Sequence, residues 1–285
     1  MLNYLKAYRP LNIIFIALAQ WLASYYLDFS ASRESIKLGG VYYLILGTAA
    51  CAAFGYWTND YFDVIRDRIN KPGKNWVGRL NKYAIWSHLL LFISIALYCG
   101  NALGVWFVGL FIITLITLVV YNIWLKDIAG IGNLLIGALS FISIYCIQFL
   151  FKEVDKLLLL HFATLAGMLN FSREIVKDAE DLKGDSESGA NTLPIVFGIR
   201  NANLVVYVIL LFTISFMVVS LINQNQYLAK PINYLYFMYY AFFVILPLYY
   251  VAVEVRYAKE KSKYAYISKV LKYVMFTGIL SILFF

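Results

Sequence analysis

The sequence predicts an all-α, polytopic membrane protein: nine transmembrane helices around a central cavity, forming a single domain over residues 1–285. Three observations predict it. Hydrophobic side chains make up 62% of the 285 residues and charged ones 14%, with a mean hydropathy of +0.72. Soluble domains lie nearer half apolar and a quarter charged, so these few charges cannot cover a soluble surface. The apolar residues also gather into nine runs, each close to the ~20 residues a helix needs to cross a bilayer. Finally, Lys and Arg are divided unequally between the segments that join the runs.

The runs lie near 11–28, 39–58, 83–100, 102–121, 133–151, 157–175, 203–222, 232–251 and 268–285. None sustains the alternation of a strand. In lipid, a segment that satisfies its own backbone hydrogen bonds is favoured, so each run is read as a helix. A short turn at Gly100-Asn101 separates the third run from the fourth. The first run follows Lys6 and Arg9, lacks a small-residue cleavage site and leads into further spans, so it is a span rather than a removable signal.

With the N-terminus in the cytoplasm, clusters at 6–9, 66–82, 126, 173–200 and 256–272 place nineteen of the 24 basic residues inside. Arg33, Lys37, Lys152, Lys156 and Lys230 remain outside. This asymmetry predicts that the N-terminus and the long polar loops are cytoplasmic and that the C-terminus lies on the opposite side. The formal charge of +8 therefore reflects membrane orientation, and no nucleic-acid partner is expected. Cys51, Cys99 and Cys146 sit singly in apolar runs without CxxC spacing, which points to buried thiols rather than a disulfide or zinc site. His88 and His161 lie in or beside spans, far from the polar loops, and are read as structural.

Acidic residues number only 16, and nine of them fall in two windows, Asn59–Asp67 and Arg173–Glu187. Asp60, Asp63 and Asp67 stand at i, i+3 and i+7; Asp178, Asp181 and Asp185 repeat that spacing. At helical periodicity each trio occupies one face, and Glu174 joins the second face one turn earlier. Both trios begin where a span reaches the cytoplasmic surface, so two carboxylate walls can face each other across one cavity. Buried carboxylates without partners cost several kcal/mol each, on the order of the penalty for an unpaired ion. Mg²⁺ suits such a site: it takes one or two carboxylates, keeps waters and completes its shell with substrate phosphates. All six aspartates are thus candidate metal ligands and catalytic residues around a diphosphate. Solvated loop charges would not need the same spacing twice. A cation channel or transporter is the competing class, although transporters place such carboxylates near the midplane in broken helices.

These residues resemble the two signatures of the UbiA superfamily of intramembrane prenyltransferases. The first signature, NDxxDxxxD with a following Asn-Lys-Pro, stands here as Asn59, Asp60, Asp63, Asp67 and Asn70-Lys71-Pro72. The second, DxxDxxGD with a later Thr-Leu-Pro, stands as Asp178, Asp181, Gly184, Asp185 and Thr192-Leu193-Pro194. Tyr121-Asn122, Leu125-Lys126 and Gly132-Asn133 resemble the family's loop between the fourth and fifth helices, and Arg9-Pro10-Leu11-Asn12 resembles its opening segment. The resemblance covers essentially the whole chain. One departure is that many members follow Asn-Lys-Pro with Arg-Pro, whereas Gly73-Lys74-Asn75 stands here, so this loop is expected to close over the site differently. Arg173 to Asp178, with Glu180, is similar to the digeranylgeranylglyceryl phosphate synthase branch. That branch transfers a geranylgeranyl group to geranylgeranylglyceryl phosphate to form an ether lipid. An aromatic acceptor of the quinone type is the alternative.

The resemblance implies Mg²⁺-dependent transfer from a prenyl diphosphate to a lipophilic acceptor in the bilayer. It implies two Mg²⁺ ions held by the six aspartates. Asn59, Arg66, Tyr121, Lys126 and Lys177 are then expected at the diphosphate, and Arg173 and Glu174 at the acceptor. Asp67 or Glu174 is the candidate base. An apolar, aromatic cavity would shield the allylic cation. Phe54, Tyr56, Phe141 and Tyr145 are candidates to line it, with ordinary packing the default for each.

Overall fold

A computed structural model describes residues 4–27, 37–73, 75–151, 154–227 and 234–285. Arg33, Lys74, Lys152 and Lys230 of the charge tally lie outside these residues. Among the described residues the chain is helical and forms no strand; Ile128 and Asn191 make an isolated parallel bridge. The helices are α1 (Pro10–Tyr26), α2 (Lys37–Phe62), α3 (Val64–Asn70), α4 (Lys82–Leu103) and α5 (Val105–Ile123). They continue as α6 (Ile131–Tyr145), α7 (Lys156–Glu180), α8 (Leu182–Glu187), α9 (Leu193–Phe197) and α10 (Ile199–Tyr227). A π-helical turn, Ala241–Ile245, joins α11 (Tyr234–Tyr240) to α12 (Leu246–Tyr257), and α13 (Lys261–Leu280) closes the fold.

The nine apolar runs coincide with α1, α2, α4, α5, α6, α7, α10, the α11–α12 pair and α13. Among the described residues, seven helical segments are long and apolar enough to cross a membrane. The two runs outside that set are α1, with 17 residues, and α7, whose last turns carry Arg173, Glu174, Lys177, Asp178 and Glu180. The expected turn at Gly100-Asn101 falls instead at Gly104, where φ is +116°; α4 continues through Gly100, whose bare Cα lets α5 pack closely, since a Cβ there would stand 3.0 Å from the Val108 Cα. Large apolar side chains cover the outside: Trp106 is 84% exposed and Val105 79%. A soluble protein would not display them, and lipid accepts them. The chain is an integral membrane protein.

Two cores fill the interior. Trp57, Phe92, Cys99, Phe111 and Leu159 belong to one, built around α2, α4 and α5. Leu210, Tyr240, Val251, Tyr264 and Leu271 belong to the other, built around α10, α12 and α13. Between them α6 lies directly on α7. A Cβ on Gly137 would stand 2.9 Å from the Gly167 carbonyl, and one on Gly167 would stand 3.1 Å from the Gly137 carbonyl. Small residues allow this backbone approach in membranes. It brings Asn133 of α6 within reach of Asp178 on α7, at 2.7 Å. In α12, Pro247 has no N–H to give the Phe243 carbonyl one turn back. The π-helical turn absorbs the proline, and Thr277 of α13 donates its hydroxyl to that carbonyl at 2.8 Å. Both histidines pack as read from the sequence. His88 stacks on Trp57 with ring centroids 4.3 Å apart, and His161 lies 2.8 Å from the Tyr240 hydroxyl.

Candidate active site

The two aspartate trios do not each ride one continuous helix. Each is broken at its middle member. Asp63 joins α2 to α3 with φ −92° and ψ 14°, and Asp181 joins α7 to α8 with φ −95° and ψ 9°. The i→i+4 bonds carry on through both junctions: Asp63 N–H reaches Asn59, and Asp67 N–H reaches Asp63. Asp181 N–H likewise reaches Lys177, and Asp185 N–H reaches Asp181. The faces predicted from spacing therefore survive the bend. The short helices α3 and α8 pack together. Asn70 ties them: its Nδ2 donates to the Asp181 carbonyl at 2.9 Å, and its Oδ1 accepts from Gly184 N–H at 2.9 Å. A Cβ on Gly184 would collide with the Asn70 amide, which explains the glycine in the second motif.

Cations separate the carboxylates. Arg9 donates to Asp60 at 2.8 Å and to Asn59 at 3.0 Å. Lys126 reaches Asp63 at 2.6 Å, while the Asn59 amide donates to the other Asp63 oxygen at 2.6 Å. Arg66 stands 3.6 Å from Asp63 and bonds Asp127 at 2.5 Å and Ser188 at 2.8 Å. Lys71, from the first motif's loop, crosses to Asp181 at 2.5 Å. Burial would lower Lys71, yet the charge of Asp181 and their hydrogen bond hold it above its ordinary value. Asn75 folds back onto the first motif and donates to the Asp60 carbonyl and to Asp67 at 2.8 Å. The divergent Gly73-Lys74-Asn75 stretch thus contributes a residue to the site.

All six aspartates line one cavity of about 820 Å³, together with Asn59, Arg66, Tyr121, Lys126, Arg173, Glu174 and Lys177. The thirteen residues expected at the site are brought together. Lys177 is grouped differently from the expectation: it sits with Arg173, both donating to the same Glu174 oxygen, at 2.5 and 3.2 Å. Of the four aromatic candidates, Tyr56 lines the cavity, with Arg9 4.8 Å above its ring. Phe54 is buried in the core, and Phe141 packs on Tyr145 with centroids 5.0 Å apart. Phe15, Phe111 and Phe162 supply aromatic walls instead.

Among the described residues, no three His, Cys, Asp or Glu side chains gather closely enough to hold a metal by themselves. Arg9, Lys126 and Lys71 take carboxylate oxygens and keep the walls apart. The donor set still fits Mg²⁺. It is made of hard oxygens from two opposed motifs, and Mg²⁺ needs only one or two carboxylates beside phosphate and water. The buried Asp181 Oδ1 accepts no hydrogen bond and is free to ligate. Burial pushes the Asp185 carboxyl up to about 7, aided by Asp181 and Asp63 and opposed by Arg66. A nearby cation would relieve that penalty.

Sequence reasoning assigned no site role to Arg9, Asn70, Lys71, Asn75, Asp127 or Lys272. Arg9 carried a local signal, since it precedes the proline that opens α1. It sits at φ +47°, a left-handed conformation that costs a side chain about 1 kcal/mol, and from there it reaches the first motif.

The UbiA prenyltransferase family model matches residues 7–277. The digeranylgeranylglyceryl phosphate synthase of Methanothermobacter thermautotrophicus is 31% identical over 239 residues, covering 82% of this chain and 78% of that protein. A solved structure concerned with digeranylgeranylglyceryl phosphate synthase in membranes superposes with a TM-score of 0.71 at 21% identity. It covers 98% of this chain and 97% of the other. A UbiA homolog from Archaeoglobus fulgidus, bound to DMAPP and Mg²⁺, superposes with a TM-score of 0.69 at 16% identity, covering 98% and 99%. On this match and on its two aspartate motifs, the chain belongs to the UbiA prenyltransferase family.

Proposed function

We propose that this protein is a Mg²⁺-dependent prenyltransferase that moves a geranylgeranyl group from its diphosphate onto geranylgeranylglyceryl phosphate, forming an ether lipid. The observation that carries the reading is the convergence of both aspartate motifs on one cavity, cross-linked by Asn70 and Lys71. The names of the relatives and the Mg²⁺ and DMAPP bound in the Archaeoglobus homolog support the donor and acceptor. The whole chain, 1–285, acts as one catalytic unit. Nine helices, including α1 and α7, span the membrane around the cavity. The N-terminus and both motifs are cytoplasmic, and the C-terminus is opposite.

Asp60, Asp63 and Asp67 would help hold one Mg²⁺ ion, and Asp178, Asp181 and Asp185 a second, with the diphosphate and water completing each shell. When bound, Mg²⁺ neutralises the charge that develops on the departing diphosphate. Asn59, Tyr121, Arg66 and Lys126 orient the same oxygens, Arg66 with its planar fork and Lys126 as a point charge. The allylic C–O bond breaks, and its electron pair leaves with the diphosphate. The apolar cavity excludes water from the carbon, and Tyr56 offers a ring face to the cation. The acceptor hydroxyl oxygen then forms the new C–O bond. Glu174 is clamped by two cations through one oxygen, which suits a counter-charge. Asp67, whose carboxyl burial raises, takes the hydroxyl proton.

Purified protein given labelled geranylgeranyl diphosphate should prenylate geranylgeranylglyceryl phosphate only with Mg²⁺, and EDTA should abolish product. Asp63→Asn and Asp181→Asn should each lose most activity. Product from an aromatic acid instead, or undiminished variants, would overturn the assignment.

A further inference from the structure

The cavity contains more positive charge than the diphosphate site uses. On α7, Arg173 and Lys177 share a single oxygen of Glu174. Arg173 is 8% exposed, and its Nε has no hydrogen-bond partner. Lys272 of α13 lines the same cavity and has no carboxylate within ion-pair distance among the described residues. The charges that act on it include Arg173, Arg9 and Glu174. Arg9 stands at the rim, already balanced by Asp60. Three cations thus gather around Glu174, the one carboxylate that pairs directly with two of them, while Glu180 and Asp178 act on Arg173 and Lys177 without an ion pair. Charge gathered inside a membrane protein is costly and marks a functional site.

Arg66 and Lys126, by contrast, belong to the other side of the cavity, pinned to Asp63 and Asp127. Arg173 lies five residues before Asp178, about 7–8 Å along α7 at 1.5 Å per residue. A second anion held there would sit beside the diphosphate, with room for a glycerol unit between the two. We propose that Arg173, Lys177 and Lys272, with Arg9 at the rim, form a second anion site that takes the phosphomonoester headgroup of the acceptor lipid. This inference rests on the ether-lipid reading above. A phosphomonoester near neutral pH carries close to two negative charges, which complements this cluster of cations. Arg173 supplies a fork to two of its oxygens, Lys177 and Lys272 add point charges, and Glu174 fixes the first two cations in place.

The test uses Lys272→Met and Arg173→Lys in proteoliposomes, with donor and acceptor varied independently. The acceptors are geranylgeranylglyceryl phosphate and geranylgeranylglycerol, which lacks the phosphate. One charge-assisted hydrogen bond corresponds to roughly ten- to hundredfold in affinity. The KM for the phosphorylated acceptor should rise by that factor, the donor KM should move less than about threefold, and the preference for the phosphorylated acceptor should collapse. Without donor or Mg²⁺, geranylgeranylglyceryl phosphate should raise the thermal midpoint of the wild type and not that of Lys272→Met. A rise in donor KM with unchanged acceptor KM, or a preference that survives in both variants, would overturn the second site while leaving the ether-lipid reading intact. A wild type that ignores the phosphorylated acceptor and prenylates an aromatic acid would overturn both.

Discussion

The two aspartate-bearing helix ends share a backbone but not their neighbours. Asp63 and Asp181 break their helices at almost the same angles, and each trio presents the same face. Around the first motif every carboxylate has a donor nearby: Arg9 for Asp60, Lys126 and Asn59 for Asp63, and Asn75 for Asp67. Around the second, Asp178 accepts from the neutral Asn133 amide and forms no ion pair among the described residues. Asp181 borrows Lys71 from the first motif and leaves one oxygen unpartnered, and Asp185 is held near neutrality by burial. The fold repeats the scaffold, while the protein's own cations compensate the first copy more fully: Asp60 and Asp63 each pair with a cation, whereas in the second copy Asp181 alone does so among the described residues. The second motif is therefore the one that depends more on divalent charge.

The largest expected effect follows from that asymmetry. Asp181→Asn should lower kcat by about a thousandfold, the scale of losing a preorganised electrostatic group. Asp60→Asn should cost about ten- to a hundredfold, because Asp60 is tied to Arg9, whereas Asp181 keeps one oxygen without a hydrogen bond. Single-turnover rates at saturating Mg²⁺ measure both, and a greater loss at Asp60 would invert the comparison.

Next comes the link between the motifs. Asn70→Ala removes two hydrogen bonds that join α3 to α8, about 2 kcal/mol at ~1 each. We expect kcat to fall about thirtyfold, with the acceptor KM nearly unchanged.

A smaller effect lies in pH dependence without metal. Burial raises the Asp185 carboxyl to about 7, above its usual ~3.9 in an unfolded chain. The folded state then keeps the proton longer than the unfolded state. Stability is highest below pH ~4, falls as pH rises toward 7 and levels off above it. Thermal midpoints in EDTA between pH 5 and 8 should show that decline. Asp185→Asn should make that decline shallower, and Asp67→Asn, also raised by burial, should do so as well. A midpoint that rises with pH would remove the electrostatic contrast between the motifs.

The smallest effect is a control within the second motif. Lys183 lies between Asp181 and Asp185 in sequence but is exposed, 4.0 Å from Glu187. Exposed pairs contribute about 0–1 kcal/mol, so Lys183→Ala should leave both activity and thermal midpoint close to wild type.

Much of the frame was legible because lipid imposes simple rules. Apolar runs of one length marked the helices, and repeated Asp spacing marked both walls. The breaks at Asp63 and Asp181 were not legible. Neither position carries a proline or glycine, and the bends arise where α3 meets α8. The cavity's aromatic walls were hidden for a different reason. In helices apolar on every side, sequence gives little contrast between faces, so Phe15, Phe111 and Phe162 looked no different from lipid-facing residues. Lys272 resembled an ordinary cytoplasmic anchor until folding placed α13 beside α7. Asn75 lay in a stretch that departs from the family pattern, and only its fold back onto Asp60 and Asp67 revealed its part.

The most direct measurement is a count of bound Mn²⁺ by electron paramagnetic resonance, with and without geranylgeranyl diphosphate. It should be made for wild type, for Asp63→Asn, for Asp181→Asn and for the double variant. If both motifs grip one metal-bound diphosphate, donor-dependent Mn²⁺ binding will disappear in either single variant, and the double will lose nothing more. Donor-dependent binding that persists in each single variant and vanishes only in the double would mean two independent sites, and the shared grip would be wrong.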